Sequence, residues 1–183
     1  MPRLNTVNPE TAQGKAKLLL DGVQKSLGMT PNIMRMLANS PAALEAYLGL
    51  MKALGGANID GKTREAIALA TSGANGCDYC ASAHTAIGKT LGLSDEEAQL
   101  NLYGRSSEPA RSAALQFTRA IVEKRGWVND RDLEQVREAG FGDAEITEIV
   151  ATIAMTTFSN YFNHIAETEI DFPPVKVAEP QAA

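Results

Sequence analysis

Cys77-Asp78-Tyr79-Cys80-Ala81-Ser82-Ala83-His84 holds both cysteines of the chain and one of its two histidines, and a glutamate, Glu65, stands twelve positions before the first thiol. Two thiols at this spacing can reach each other as a disulfide, and a thiolate beside proton-carrying groups is a nucleophile that can be recycled. Asn75-Gly76 is a turn signal, and the run from Cys77 to Leu91 predicts a helix. Both sulfurs then fall in its first turn, where free N–H groups and the macrodipole favour thiolate. At about 100° per residue, Cys80 lies about 60° and His84 about 20° from Cys77 around the helix, so thiols and imidazole share one face. His84 is one turn beyond Cys80.

Other readings of these residues compete with that one. Free cysteines are often small core residues, yet two of two at this spacing on one helical face argue for chemistry. Zinc would find three ligands here, but there is no third cysteine, and His164 lies 80 positions beyond His84. Haem attachment fails because Ala81 stands where the c-type motif has histidine. Redox chemistry at a dithiol remains, with no cofactor or metal expected. For Glu65 two readings stay open. With Ala68 and Leu69 one turn on, burial raises its pKa and makes it a proton shuttle; facing solvent, it pairs with Lys62 or Arg64. His84 beside Ala81, Ile87 and Gly88 taken alone is a satisfied core histidine; its register with Cys80 favours a role in proton transfer. Tyr79 either donates a hydrogen bond near the sulfurs or packs. Asn160, Tyr161, Asn163 and His164 cluster late in the chain and line either a pocket or an interface, and Met29, Met34, Met36 and Met51 read as core filling.

The elements that must hold this centre are helical. Apolar residues recur at three- and four-residue intervals from Thr11 to Leu27, ended by Gly28; Pro31 opens a helix to Asn39; Ser40-Pro41 opens another that carries Leu44, Tyr47, Leu48, Met51 and Leu54 to Gly55-Gly56. Asp60 caps a helix from Gly61 to Ser72 that Gly73 ends, apolar on every side at Ala66–Ala70, hence buried. Ser94 with Glu97 reads as a capping box opening Asp95–Tyr103. Helices from Pro109 toward Gly126, from Asn129 to Ala139 and from Asp143 to Thr168 complete the series. The expectation is an all-α, single-domain bundle over residues 1–171, with 172–183 a disordered tail after Phe172-Pro173-Pro174.

A chain of 183 residues with 44% hydrophobic content can bury one good core. Its net charge of −5, from 17 basic and 22 acidic residues without a basic stripe, argues against nucleic acid and anionic membrane surfaces as partners. No apolar run approaches the ~20 residues of a membrane span, and the N-terminus lacks a signal h-region. A cytoplasmic protein is expected, and in that reducing compartment a lone CxxC is catalytic more often than structural.

Glu65, Cys77, Cys80 and His84, read as Glu, eleven residues, Cys, two residues, Cys, three residues, His, resemble the motif of the carboxymuconolactone decarboxylase superfamily, in its alkylhydroperoxidase D-like, CxxC-bearing branch. A weaker likeness runs from Thr30-Pro31-Asn32-Ile33 to Asp171-Phe172-Pro173. The resemblance implies an all-α AhpD-like fold, subunits assembled as trimers or hexamers, and an antioxidant peroxidase cycle. In that cycle Cys80 attacks a hydroperoxide, Cys77 resolves the sulfenic acid, Glu65 and His84 relay protons, and a dithiol of unknown identity reduces the disulfide. The family motif has a further histidine just before the second cysteine, where this chain has Tyr79. Two alternatives are kept: a lyase acting on a small lactone or carbon acid, as in the decarboxylases, and a non-catalytic thiol sensor.

Overall fold

The computed structural model describes residues 2–177 and, among them, is all-helical without strands. The helices are α1 (Gly14–Leu27), α2 (Asn32–Leu37), α3 (Pro41–Leu54), α4 (Gly61–Asn75), α5 (Asp78–Thr90), α6 (Asp95–Leu102), α7 (Pro109–Glu123), α8 (Asp130–Glu138) and α9 (Asp143–Ala166). The apolar α4 runs through the middle and packs against α5, α6, α7 and α9, as its apolar circumference requires. On one side Ala66, Ile67 and Ala70 meet Ala114, Leu115, Val136 and Ile149 of α7, α8 and α9. On the other, Leu20, Val23, Ile33, Leu37 and Leu44 from α1–α3 close over Cys77, Tyr79 and Cys80. Each large aliphatic side chain so enclosed contributes about 1.5–3 kcal/mol. Buried hydroxyls do not weaken these faces, because Thr71, Ser72, Thr118, Thr152 and Thr156 each donate to a carbonyl one turn back.

Several ends differ from the sequence expectation. α4 does not stop at Gly73 but continues to Asn75, and Gly76 at φ 70° is the left-handed cap. Gly73 instead makes room: a Cβ there would sit 1.9 Å from the Leu102 carbonyl oxygen, so the missing side chain lets α6 approach. Pro31 is the N-cap of α2 rather than its first helical residue, and α9 ends at Ala166 with Glu167 left-handed. The expected capping box at α6 is only half made. Ser94 accepts from Glu97 N–H, but the Glu97 carboxylate turns to Ser106 and Ser107. Burial opposes its charge, yet those donors hold its pKa down to about 2. Residues 172–177, expected as the start of a loose tail, run back over α5: Val175 N–H donates to Ser82 Oγ at 2.9 Å, and Val177 N–H and Lys176 Nζ donate to Asp78 at 2.8 and 2.7 Å. The rest of that expected tail, 178–183, lies outside the described residues.

Candidate active site

Cys77 is the N-cap of α5 and Cys80 sits in its first turn; the Cys77 sulfur accepts the Cys80 N–H at 3.4 Å. Both are free thiols and both are buried, at 1% and 3% exposure. Their surroundings differ. Cys80 lines a cavity of about 280 Å3 whose wall also carries Glu65, His84 and Tyr47, whereas Cys77 lies outside that wall. The rest of the lining is mainly apolar, including Met34, Met51, Ala68, Ile87 and Phe172. The single face predicted for both thiols and His84 is thus divided, because a cap residue leaves the helical path.

The Glu65 alternatives resolve in favour of burial. α4 and α5 lie side by side across the Gly76 turn, which brings Glu65 Oε2 to 2.8 Å from His84 Nδ1 with the two side chains 12% and 13% exposed. Burial alone would depress the imidazole, but the charge and hydrogen bond of Glu65, with Cys80 nearby, hold its pKa above the ordinary value. An imidazolium beside Cys80 favours thiolate there.

α9 supplies the remainder of the sulfur's environment. Asn163 Nδ2 donates to Cys80 Sγ at 3.2 Å, and Ser159 Oγ lies 3.8 Å from the same sulfur. Asn160 accepts from Asn75 Nδ2 at 2.9 Å and donates to Ser72 Oγ at 3.3 Å, and it too favours the Cys80 thiolate. Burial pushes the Cys80 thiol up, but the Cys77 donor, the His84 charge and the two asparagines outweigh it and bring it to about 6. Cys77 moves the opposite way. Its hydrogen bond to Cys80, then burial, then the neighbouring charge drive its thiol far above the usual range. The surroundings therefore favour thiolate at Cys80 and disfavour it at Cys77.

Tyr79 does not serve the thiols. Its hydroxyl donates to Asp171 Oδ1 at 2.8 Å and accepts from Ile33 N–H at 3.2 Å, and its ring meets Phe172 edge-on at 5.9 Å. It fastens the C-terminal segment to α2, with Asp171 Oδ2 accepting Asn32 N–H at 2.7 Å. Of the late cluster singled out in the sequence, Asn160 and Asn163 are buried at the sulfur, while Tyr161 and His164 face solvent. Ser159 and Tyr47 carried no linear signal: Tyr47 reads as one more apolar position on α3. Burial and then the Cys80 charge hold its phenol well above the ordinary value, so it remains a hydroxyl in the cavity wall.

Residues 41–124, which carry α3 to α7 and all four motif residues, match the model of the carboxymuconolactone decarboxylase family. Over this segment, a little under half of the chain, the sequence is similar to that family. No curated protein sequence matches it. Among solved structures, a peroxidase-related protein with an alkylhydroperoxidase AhpD core from Ralstonia eutropha JMP134 is 27% identical, with a TM-score of 0.84 over 93% of this chain and 92% of that one. A peroxidase-related protein from Silicibacter sp. TM1040 is 21% identical with a TM-score of 0.80 over 94% and 90%. The debrominase Bmp8, a cysteine-to-alanine variant in complex with 2,3,4-tribromopyrrole, is 22% identical with a TM-score of 0.77 over 93% and 94%. The all-α fold is that of the AhpD core. No helix among the described residues is long and apolar enough to cross a membrane.

Proposed function

We propose that the chain is a thiol peroxidase that reduces organic hydroperoxides at Cys80. One observation carries this reading: of the two sulfurs, only the one stabilised as thiolate lines the cavity that also holds the His84–Glu65 pair. In the first step Cys80 thiolate attacks the terminal peroxide oxygen, an S–O bond forms as O–O breaks, and the alkoxide leaves with a proton supplied through His84. Cys80 is then a sulfenic acid. That step also frees Cys77, because the largest cause holding it protonated was its hydrogen bond to Cys80. Cys77 gives up its proton, attacks the Cys80 sulfur, and the hydroxyl departs as water, leaving a disulfide. An external dithiol returns two electrons and two protons. Glu65 serves as the proton reservoir behind His84.

The apolar lining suits an organic hydroperoxide better than hydrogen peroxide, which gains nothing from apolar contact. The same lining favours a second reading, reductive dehalogenation of an apolar ring, the activity named for one of the fold relatives above. There the thiolate takes the halogen as a sulfenyl halide, the ring carbon takes a proton, and Cys77 expels halide to give the same disulfide. A lactone lyase leaves the thiolate without a role, and a sensor does not need a substrate-sized cavity. Assembly as a trimer or hexamer is proposed from the family resemblance.

Trapping of sulfenic acid with a dimedone probe tests the assignment. Cys77→Ser is expected to consume one equivalent of cumene hydroperoxide and hold a trappable sulfenic acid; Cys80→Ser should consume none. If Cys80→Ser still reacts and Cys77→Ser does not, the roles are reversed. Halide release from a bromopyrrole without peroxide turnover would select the second reading.

A further inference from the structure

Three charged side chains line the cavity, and two of them, Glu65 and His84, neutralise each other. The third is Arg64. It is half-buried, and no carboxylate lies within salt-bridge distance of it among the described residues. One of its five N–H donors is used, Nη1 to the Leu54 carbonyl at 3.1 Å. That bond anchors the guanidinium at the C-terminal end of α3, where a cation is favoured. Its Nη2 lies 3.7 Å from where a Gly61 Cβ would stand, beside Leu91. Leu91 is about one turn beyond Ile87, which is about one turn beyond His84. The guanidinium therefore sits on the side of the cavity away from Cys80. Leu27, Met29 and Ile87, exposed by 46%, 37% and 41%, are the solvent-facing members of the lining, and Ile87 lies between His84 and the Leu91 that Arg64 adjoins.

We propose that Arg64 is the head-group site of this cavity and that the substrate is an amphipathic carboxylate whose apolar chain runs inward from Arg64 to the thiolate. Guanidinium and carboxylate match as a planar, two-bond pair. A half-buried Arg with four unused donors in a mainly apolar wall would have to be desolvated by an apolar ligand without compensation, which disfavours neutral substrates. The inference rests on the peroxidase reading only for the hydroperoxide group; the head-group site does not need it.

The test uses unreactive probes first. Decanoate and methyl decanoate are compared for protection of Cys80 from iodoacetamide in the reduced protein, with the modified cysteine located by mass spectrometry. Decanoate is expected to protect at about tenfold lower concentration than its ester, the worth of one modest charge-assisted pair. Arg64→Gln should erase the difference and Arg64→Lys should keep most of it, which separates charge from packing if the Gln variant is unstable. Equal protection by acid and ester, or a difference that survives in Arg64→Gln, overturns the proposal. KM values for a fatty-acid hydroperoxide and its methyl ester follow. Protection by decanoate without turnover of either hydroperoxide would sink the peroxidase reading and leave the head-group site standing. Turnover of both with equal KM would do the reverse.

Discussion

Removing the Asn163 amide should raise the Cys80 pKa by an amount the geometry sets. Asn163 is 4% exposed and donates to a sulfur that is 3% exposed, so water does not replace the lost bond easily. A hydrogen bond to a charged group is worth about 1.5–3 kcal/mol, and one pKa unit is about 1.36 kcal/mol, which gives a rise of roughly 1–2 units in Asn163→Ala. From about 6, the midpoint moves to roughly 7–8. At neutral pH the thiolate fraction, and with it the rate of reaction with peroxide, falls on the order of two- to tenfold. Asn163→Asp, nearly the same in volume, puts a carboxylate against the thiolate and should raise the midpoint further. Stability responds with a definite sign. A thiol depressed in the fold contributes stability that is present above the free value of about 8.5 and is lost as pH falls toward the folded value. The Cys80 contribution to the stability of the reduced wild type therefore grows between about pH 6 and 8.5, and in Asn163→Ala it grows less over the same window. Thiolate absorbance against pH, taken in a Cys77→Ser background where a hydroxyl still donates to Cys80, is the assay. A midpoint that stays within a few tenths of a unit in a normally folded Asn163→Ala would refute the reasoning.

Other outcomes follow from the same contacts. Glu65→Gln should lower the His84 pKa, read from its imidazole proton resonance against pH, and slow turnover by roughly 10²–10⁴. Because Glu65 raises His84, the stability this pair contributes is present at low pH and lost as pH rises through the folded His84 value; a titration of stability that is unaltered by Glu65→Gln would deny the coupling. Gly73→Ala drives a methyl into the Leu102 carbonyl and should cost about 1–3 kcal/mol or more in denaturant unfolding; a neutral effect would mean that α6 yields freely. Tyr79→Phe removes bonds to Asp171 and the Ile33 amide, so it should cost about 1–3 kcal/mol of stability while leaving the Cys80 midpoint in place. A shifted midpoint would mean that Tyr79 acts on the sulfurs after all.

Local chemistry made much of this protein legible in the chain. Ser40, Asp60 and Asn129 cap their helices because a short polar side chain satisfies a free N–H within three residues, and the apolar circumference of α4 required a central place. The four residues Glu65, Cys77, Cys80 and His84 were visible for a similar reason: two adjacent helices joined by one tight turn keep them within twenty positions of each other. What the sequence left open depends on partners far along the chain. Whether Glu65 faced solvent or His84 depended on the turn at Gly76 bringing α5 back along α4. The preference for thiolate at Cys80 draws on Cys77 and His84 nearby but also on Asn160 and Asn163, some eighty positions away, and on the packing of α1–α3, which leaves a cavity at Cys80 and covers Cys77. Gly73 looks like a helix stop until Leu102 is placed against it, and Val175 to Val177 look loose until Asp78 and Ser82 accept their amides. Hydrogen-bond donors and steric room are properties of positions in space, and a linear pattern carries them only when the positions are neighbours in sequence.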